Sequence, residues 1–234
     1  MSRGTQNTLM LLVGLSAVVM IIKGSYLHFV KPSLLPWLVA AAAVLILLAV
    51  ASIVRDLRLG PAGEHGHRHR TWLVWLLLVP IALTTFVVPP PLGAAGAAPE
   101  SVAATAPQKR AFPPLPAGSA PTVSIPDLVM RAAADSTNSL ENRLITVTGF
   151  TLRYPEGTDL GRVVIVCCAA DAQLARIHLS GSAAAELAGY PEDTWLEMTG
   201  TVVPGTSTLA TNFVPTLAIS SFRRVAKPAN TYAY

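Results

Sequence analysis

Two kinds of apolar pattern share this chain. In the first 90 residues the hydrophobic positions form long runs. These are TLMLLVGLSAVVMII (8–22), continuing through Lys23 to about Val30; LLPWLVAAAAVLILLAVASIV (34–54); and TWLVWLLLVPIALTTFVVPP (71–90). Each approaches the roughly 20 residues that cross about 30 Å of hydrocarbon, so three membrane spans are expected, at about 8–30, 34–54 and 71–90. The second and third runs carry no charge, and Pro80 within the third is accepted by a membrane helix as a kink. Lys23 follows the first apolar core and no small-x-small cleavage site is evident, which marks that run as a retained anchor rather than a secretion signal.

Beyond residue 121 the pattern shortens. SIPDLVMRAAAD (124–135) opens with Ser124 as an N-cap, Pro126 in the first turn and Asp127 at the capping-box position, which predicts a helix. NRLITVTGFTLRY (142–154), GRVVIVCCA (161–169) and LARIHLS (174–180) read as strands, separated by Gly, Pro or Asp. GSAAAELAGY (181–190) predicts a short helix with Ser182 as cap and Gly189 as stop. TWLEMTGTVV (194–203) and PTLAISSFRRV (215–225) complete five strands. Three strands, a short helix and two strands match an OB-like five-stranded Greek-key barrel; a small β-sandwich is the alternative. The expected fold class is therefore membrane α plus soluble β. A three-span domain (1–94) leads through a linker (95–121) to an OB-like domain (122–228) and a short tail (229–234). The linker follows from composition, since nine prolines fall between residues 89 and 121 and such a stretch makes a semi-extended spacer.

Charge sets the expected orientation. Residues 1–94 carry seven Lys/Arg against two Asp/Glu, and Arg55, Arg58, Arg68 and Arg70 all lie in the 55–70 loop. By the positive-inside rule that loop is cytoplasmic, which leaves the N-terminus inside and everything after residue 90 outside. Trp37, Trp72 and Trp75 lie near span ends, where interfacial anchors belong. Residues 95–234 carry ten basic against eleven acidic residues, so no phosphate-tracking groove for nucleic acid is expected.

The candidate chemistry is sparse. Cys167 and Cys168, the only two cysteines, lie within an expected strand, where neighbours point to opposite faces. On that reading one thiol packs in the core while the other lies under the helix or at the strand end. A second reading gathers Cys168, Asp171 and His178 across a hairpin as ligands for Zn²⁺ or copper. A thiol redox role is a third reading, although the spaced Cys-x-x-Cys pair it normally uses is absent. His65, His67 and His69 alternate in the cytoplasmic loop, either as a transition-metal tract or as incidental members of a solvated basic loop.

No Gly-x-Ser-x-Gly, His-Glu-x-x-His or Walker-type pattern occurs, so no enzymatic activity is expected, and no resident cofactor beyond the metal alternative. Spans two and three lack the ionisable groups of a transport pathway. Ala40, Ala41, Ala42, Ala43, Ala49, Ala51 and Ser52 instead offer the small surfaces on which membrane helices pack.

Four stretches carry a family resemblance: VTGFTL (147–152), GRVVIVCCAADA (161–172), DTWLEMTGTV (193–202) and PANTYAY (228–234). In them the chain resembles the YcgQ-type permease subunits, bacterial proteins with N-terminal transmembrane helices and an outer domain. The resemblance implies a larger multi-span permease as partner, and makes Arg162, Cys167, Cys168 and Asp171 the signature positions. The function expected is a non-enzymatic, membrane-anchored accessory subunit of a permease complex, with the lipid bilayer and the permease as partners. The alternatives are an extracytoplasmic metal- or thiol-handling protein built around Cys167, Cys168, Asp171 and His178, and a membrane-tethered envelope domain with no transport role.

Overall fold

The computed structural model describes residues 3–59, 91–94, 107–155 and 157–234. They divide into two compact units, 1–91 and 92–234. The expected third span at 71–90 and the histidine loop lie outside the described residues.

The described part of the first unit pairs α1 (Arg3–Ile22) with α2 (Leu35–Leu59) as a helical hairpin. Asn7 near the start of α1 donates to Asp56 near the end of α2 at 3.1 Å, so the helices run antiparallel. Small residues set their approach. A Cβ on Gly14 would come within 2.7 Å of Ile46 Cγ1. Ala42 and Ala49, seven residues apart on α2, are fully buried, as the seam of a close helix pair requires. Of the small residues noted on this span, Ala40, Ala41, Ala43 and Ala51 are exposed. The rest of α2 turns large apolar side chains outward, among them Trp37, Val44, Leu47, Leu48 and Leu57. Among the described residues, one stretch, Pro32–Arg58, is long and apolar enough to cross a membrane, whereas the apolar part of α1, Gln6–Ile22, is shorter.

The second unit joins helix α3 (Ile125–Ala134) to six strands: β1 (Leu144–Tyr154), β2 (Gly157–Val164), β3 (Gln173–Ser180), β4 (Trp195–Val202), β5 (Thr216–Arg224) and β6 (Tyr232–Ala233). Helix α3 begins as its sequence specifies: the Ser124 hydroxyl accepts the Asp127 N–H at 3.3 Å. Its Ile125 and Leu128 reach into the main core beside Ile145, Leu160, Ile177, Met198 and Leu217. Burying each such side chain stabilises the fold by about 1.5–3 kcal/mol. A second cluster forms around Phe150, Val163, Ile165, Leu174, Trp195 and Tyr232.

The sheet order is β1-β4-β5-β3-β2-β6, with β1 also pairing β2. All pairs are antiparallel except β3–β5 and β2–β6. Phe150 is the switch residue of the long first strand, opposite Trp195 on one side and Gly161 on the other. Before it β1 runs along β4; after it β1 runs along β2. Gly149 permits the change of partner, because a Cβ there would lie 2.5 Å from the Gly161 carbonyl oxygen.

Several expectations are corrected. The sheet has six strands rather than the expected five, because the C-terminal β6 adds to β2. The β1–β2 seam ends at Phe150↔Gly161, and β6 takes up the edge of β2 at Val163 and Val164. The strand expected at 161–169 ends at Val164. The helix expected at 181–190 is a 3₁₀ helix, Ser182–Gly189, entered through Gly181 at φ 96° with no side-chain cap from Ser182. Such a left-handed entry suits glycine. Residues 229–234 contribute the buried Tyr232 and strand β6 rather than a free tail. Within the stretch read as a spacer, Arg110 exchanges backbone hydrogen bonds with Ala134 and Ser136, so this part of it is docked on the domain.

Candidate functional site: the Cys167–Asp171 turn

Strand β2 ends because the chain finds a better acceptor than the next strand. Ile165 makes a last backbone bond to Ala233, and the following N–H groups turn onto one carboxylate. Asp171 Oδ1 accepts the Val166 N–H at 2.8 Å, while Oδ2 accepts those of Cys167 and Cys168 at 2.8 and 3.2 Å. A single 3₁₀ turn, Ala169–Asp171, brings that carboxylate back over the residues before it. Short local bonds from Asp to nearby backbone compete with strand pairing, and here they win.

Both thiols are drawn into the same turn. Cys167 is exposed and Cys168 half-buried, and both are free. The Cys167 S–H donates to Asp171 Oδ2 at 2.8 Å, and its sulfur lies 3.7 Å from that of Cys168. They do not occupy opposite faces of a strand, since neither is in one. The bond to Asp171, and secondarily the contact with Cys168, pushes the Cys167 thiol up to about 11. The same thiol bond, with the backbone N–H donors, more than offsets desolvation and holds Asp171 down to about 2. A negative carboxylate favours the neutral thiol, and a donated hydrogen bond favours the carboxylate.

His178 is not part of this group. It lies on β3 opposite Asp159 of β2, and its Nδ1 is 2.8 Å from Asp159 Oδ1. Arg176 donates to the other oxygen at 2.6 Å, and its guanidinium lies 4.4 Å from the centre of the Tyr154 ring. Alternation on β3 puts Arg176 and His178 on one face, and the register supplies the shared Asp159, which is buried. The expected Cys168–Asp171–His178 set is therefore split. Among the described residues, the His/Cys/Asp/Glu group able to hold a metal is Cys167, Cys168 and Asp171, whose ligand atoms lie within 4.8 Å of one another. His65, His67 and His69 lie outside the described residues.

Arg162 works elsewhere. Its guanidinium lies 4.7 Å from the Trp195 ring centre and donates to the Asn230 carbonyl at 3.1 Å. Burial pushes its pKa below the ordinary arginine value. It thereby ties three of the resemblance stretches together: the second strand, the start of β4 and the C-terminal segment that leads into β6. No motif or spacing in the sequence marks Asp159, Arg176 or Asn230. Their only signal was an ionisable or amide side chain in an apolar context, with no spacing that joined them.

Residues 128–234 match the DUF1980 C-terminal domain. That domain belongs to the family of YcgQ-like permease-associated proteins, in line with the resemblance read from the sequence. The match covers β1 through β6 and includes Arg162, Cys167, Cys168 and Asp171. No curated protein and no solved structure is significantly similar to the chain.

Proposed function

We propose that this protein is a non-enzymatic, membrane-anchored accessory subunit of a permease complex. The carrying observation is that one chain joins a DUF1980 C-terminal domain to a membrane-length helix, α2, whose large apolar side chains face outward. An exposed apolar helix surface of this extent calls for lipid or other helices around it. On this reading α1, α2 and the 71–90 run span the bilayer. The arginines of the 55–70 loop keep that loop in the cytoplasm, and the second unit lies outside. The three spans dock on a multi-span permease, and the outer domain contacts the permease or its solute.

The outer domain is read as OB-like in connectivity. In support, β1, β2 and β3 form an antiparallel meander, β3 runs parallel to β5, and β4 joins β5 to β1. OB-type sheets present ligand surfaces, and the near balance of charge beyond residue 95 favours a protein or small-solute partner over nucleic acid.

The test is extraction of tagged full-length protein from its native membrane in mild detergent, with mass spectrometry of what copurifies. A multi-span permease at near-equal abundance is the expected result. Recovery of the protein alone, after cross-linking in the intact membrane as well, overturns the reading.

A further inference from the structure

We propose that Cys167, Cys168 and Asp171 form a binding site for Zn²⁺, with two thiolates and one carboxylate oxygen as ligands and the fourth position open. The inference stands apart from the permease reading and survives its failure.

A tetrahedral zinc with Zn–S bonds of about 2.3 Å holds its two sulfurs about 3.8 Å apart. The sulfurs of Cys167 and Cys168 are 3.7 Å apart. Neighbouring residues on a regular strand cannot reach that arrangement, because their side chains point to opposite faces. The turn at Ala169–Asp171 makes it attainable by taking both cysteines out of the sheet. The third ligand is already in place, with Asp171 Oδ2 at 2.8 Å from the Cys167 sulfur. On ligation this S···O distance opens to about 3.5 Å, the separation of sulfur and oxygen at a tetrahedral zinc.

The site is also preorganised. Backbone N–H groups of residues 166, 167 and 168 hold the Asp171 carboxylate. Those bonds orient the ligand and supply the outer support that metal-bound carboxylates use. Zn²⁺ displaces the protons of two thiols, which leave to solvent, and the ionised carboxylate completes the set. The bound unit then carries one net negative charge. No oxidant is needed, and an ordinary disulfide is disfavoured because neighbouring Cα atoms lie about 3.8 Å apart, short of the usual 4.4 Å. Three protein ligands and an exposed Cys167 leave one coordination position for exchange, the arrangement of an open rather than a purely structural zinc site.

The experiment uses full-length protein in mild detergent, reduced and stripped of metal. It is run in the His65→Ala/His67→Ala/His69→Ala background, so that the other imidazole tract does not contribute. Zn²⁺ alone is titrated against a chelating indicator, and Co²⁺ substitution reports thiolate ligation through its sulfur-to-metal charge-transfer absorption. One Zn²⁺ per chain with the thiolate–Co²⁺ band is expected. Cys167→Ser and Cys168→Ser should each weaken binding by at least about tenfold, while His178→Ala leaves it unchanged. Thermal unfolding of each variant confirms folding, which the surface position of the turn favours. No stoichiometric Zn²⁺ in the parent, or Zn²⁺ retained by the folded double Cys→Ser variant, overturns the proposal. Loss of binding in His178→Ala alone does so as well, because it restores the competing ligand set.

Discussion

Asp159 and His178 face each other directly across the β2–β3 ladder, with Oδ1 and Nδ1 2.8 Å apart. The Asp159 side chain is only 4% exposed, and its second oxygen is held by Arg176 at 2.6 Å. Removing one partner of a buried ion pair costs far more than the pair itself contributes. Asp159→Ala should therefore lower unfolding free energy by about 3–5 kcal/mol in urea titrations. His178→Ala, at a side chain 34% exposed, should cost only about 1 kcal/mol. Equal effects would contradict this assignment of roles.

The Cys167 thiol offers a pH-dependent readout. With its pKa pushed from 9.0 up to about 11, it stays protonated well into the alkaline range. In a Cys168→Ser background, alkylation of Cys167 should rise about tenfold per pH unit between pH 8 and 10, since the thiolate is the nucleophile. Asp171→Asn removes the main cause of the shift. Thiolate at pH 8 then rises by up to about a hundredfold, partly offset by weaker intrinsic nucleophilicity, for a net gain of about tenfold. An unchanged rate would show that Asp171 does not hold this thiol.

Acid should weaken the second unit through Asp135. Burial opposes its charge, but bonds from the Ser139 and Thr137 hydroxyls and both backbone N–H groups outweigh that cost and lower its pKa well below 3.8. A carboxyl depressed on folding contributes its stability above the unfolded value and loses it as pH falls below that value. The thermal midpoint should accordingly drop as pH falls below about 4. Asp135→Asn should cost about 1–3 kcal/mol at pH 7 and flatten this acid slope.

Glycine is required where β4 and β5 change register. A Cβ on Gly200 would overlap the Ala218 carbonyl and lie 3.2 Å from Ile219 Cα, at the irregularity between Thr199 and Gly200. Gly200→Ala should destabilise by about 1–3 kcal/mol. Gly189→Ala, with nothing within 4 Å, should stay within about 0.5 kcal/mol. Urea unfolding of the two variants side by side separates a backbone clash from a general cost of replacing glycine.

Local chemistry determined much of the outline. The uncharged run of α2 reports its own length and environment, because a stretch of apolar residues needs no distant partner to be recognised. The Ser124 cap and the alternation of Ile145 and Val147 on β1 are equally local: a hydroxyl reaches the N–H three residues on, and neighbouring side chains on a strand point to opposite faces. Tertiary structure decided what those periods do not encode. VVIVCC reads as one continuous strand, yet β6, folded back from the C-terminus, pairs β2 at Val163 and Val164, and Asp171 then collects the next N–H groups. That turn joins two thiols which a strand would have kept apart. His178 could be placed on a strand by pattern alone, but its partner depended on the register between β2 and β3, which matched it with Asp159 instead of the cysteines. Periodicity assigns a side chain to a face; only the packed fold decides which group it meets there.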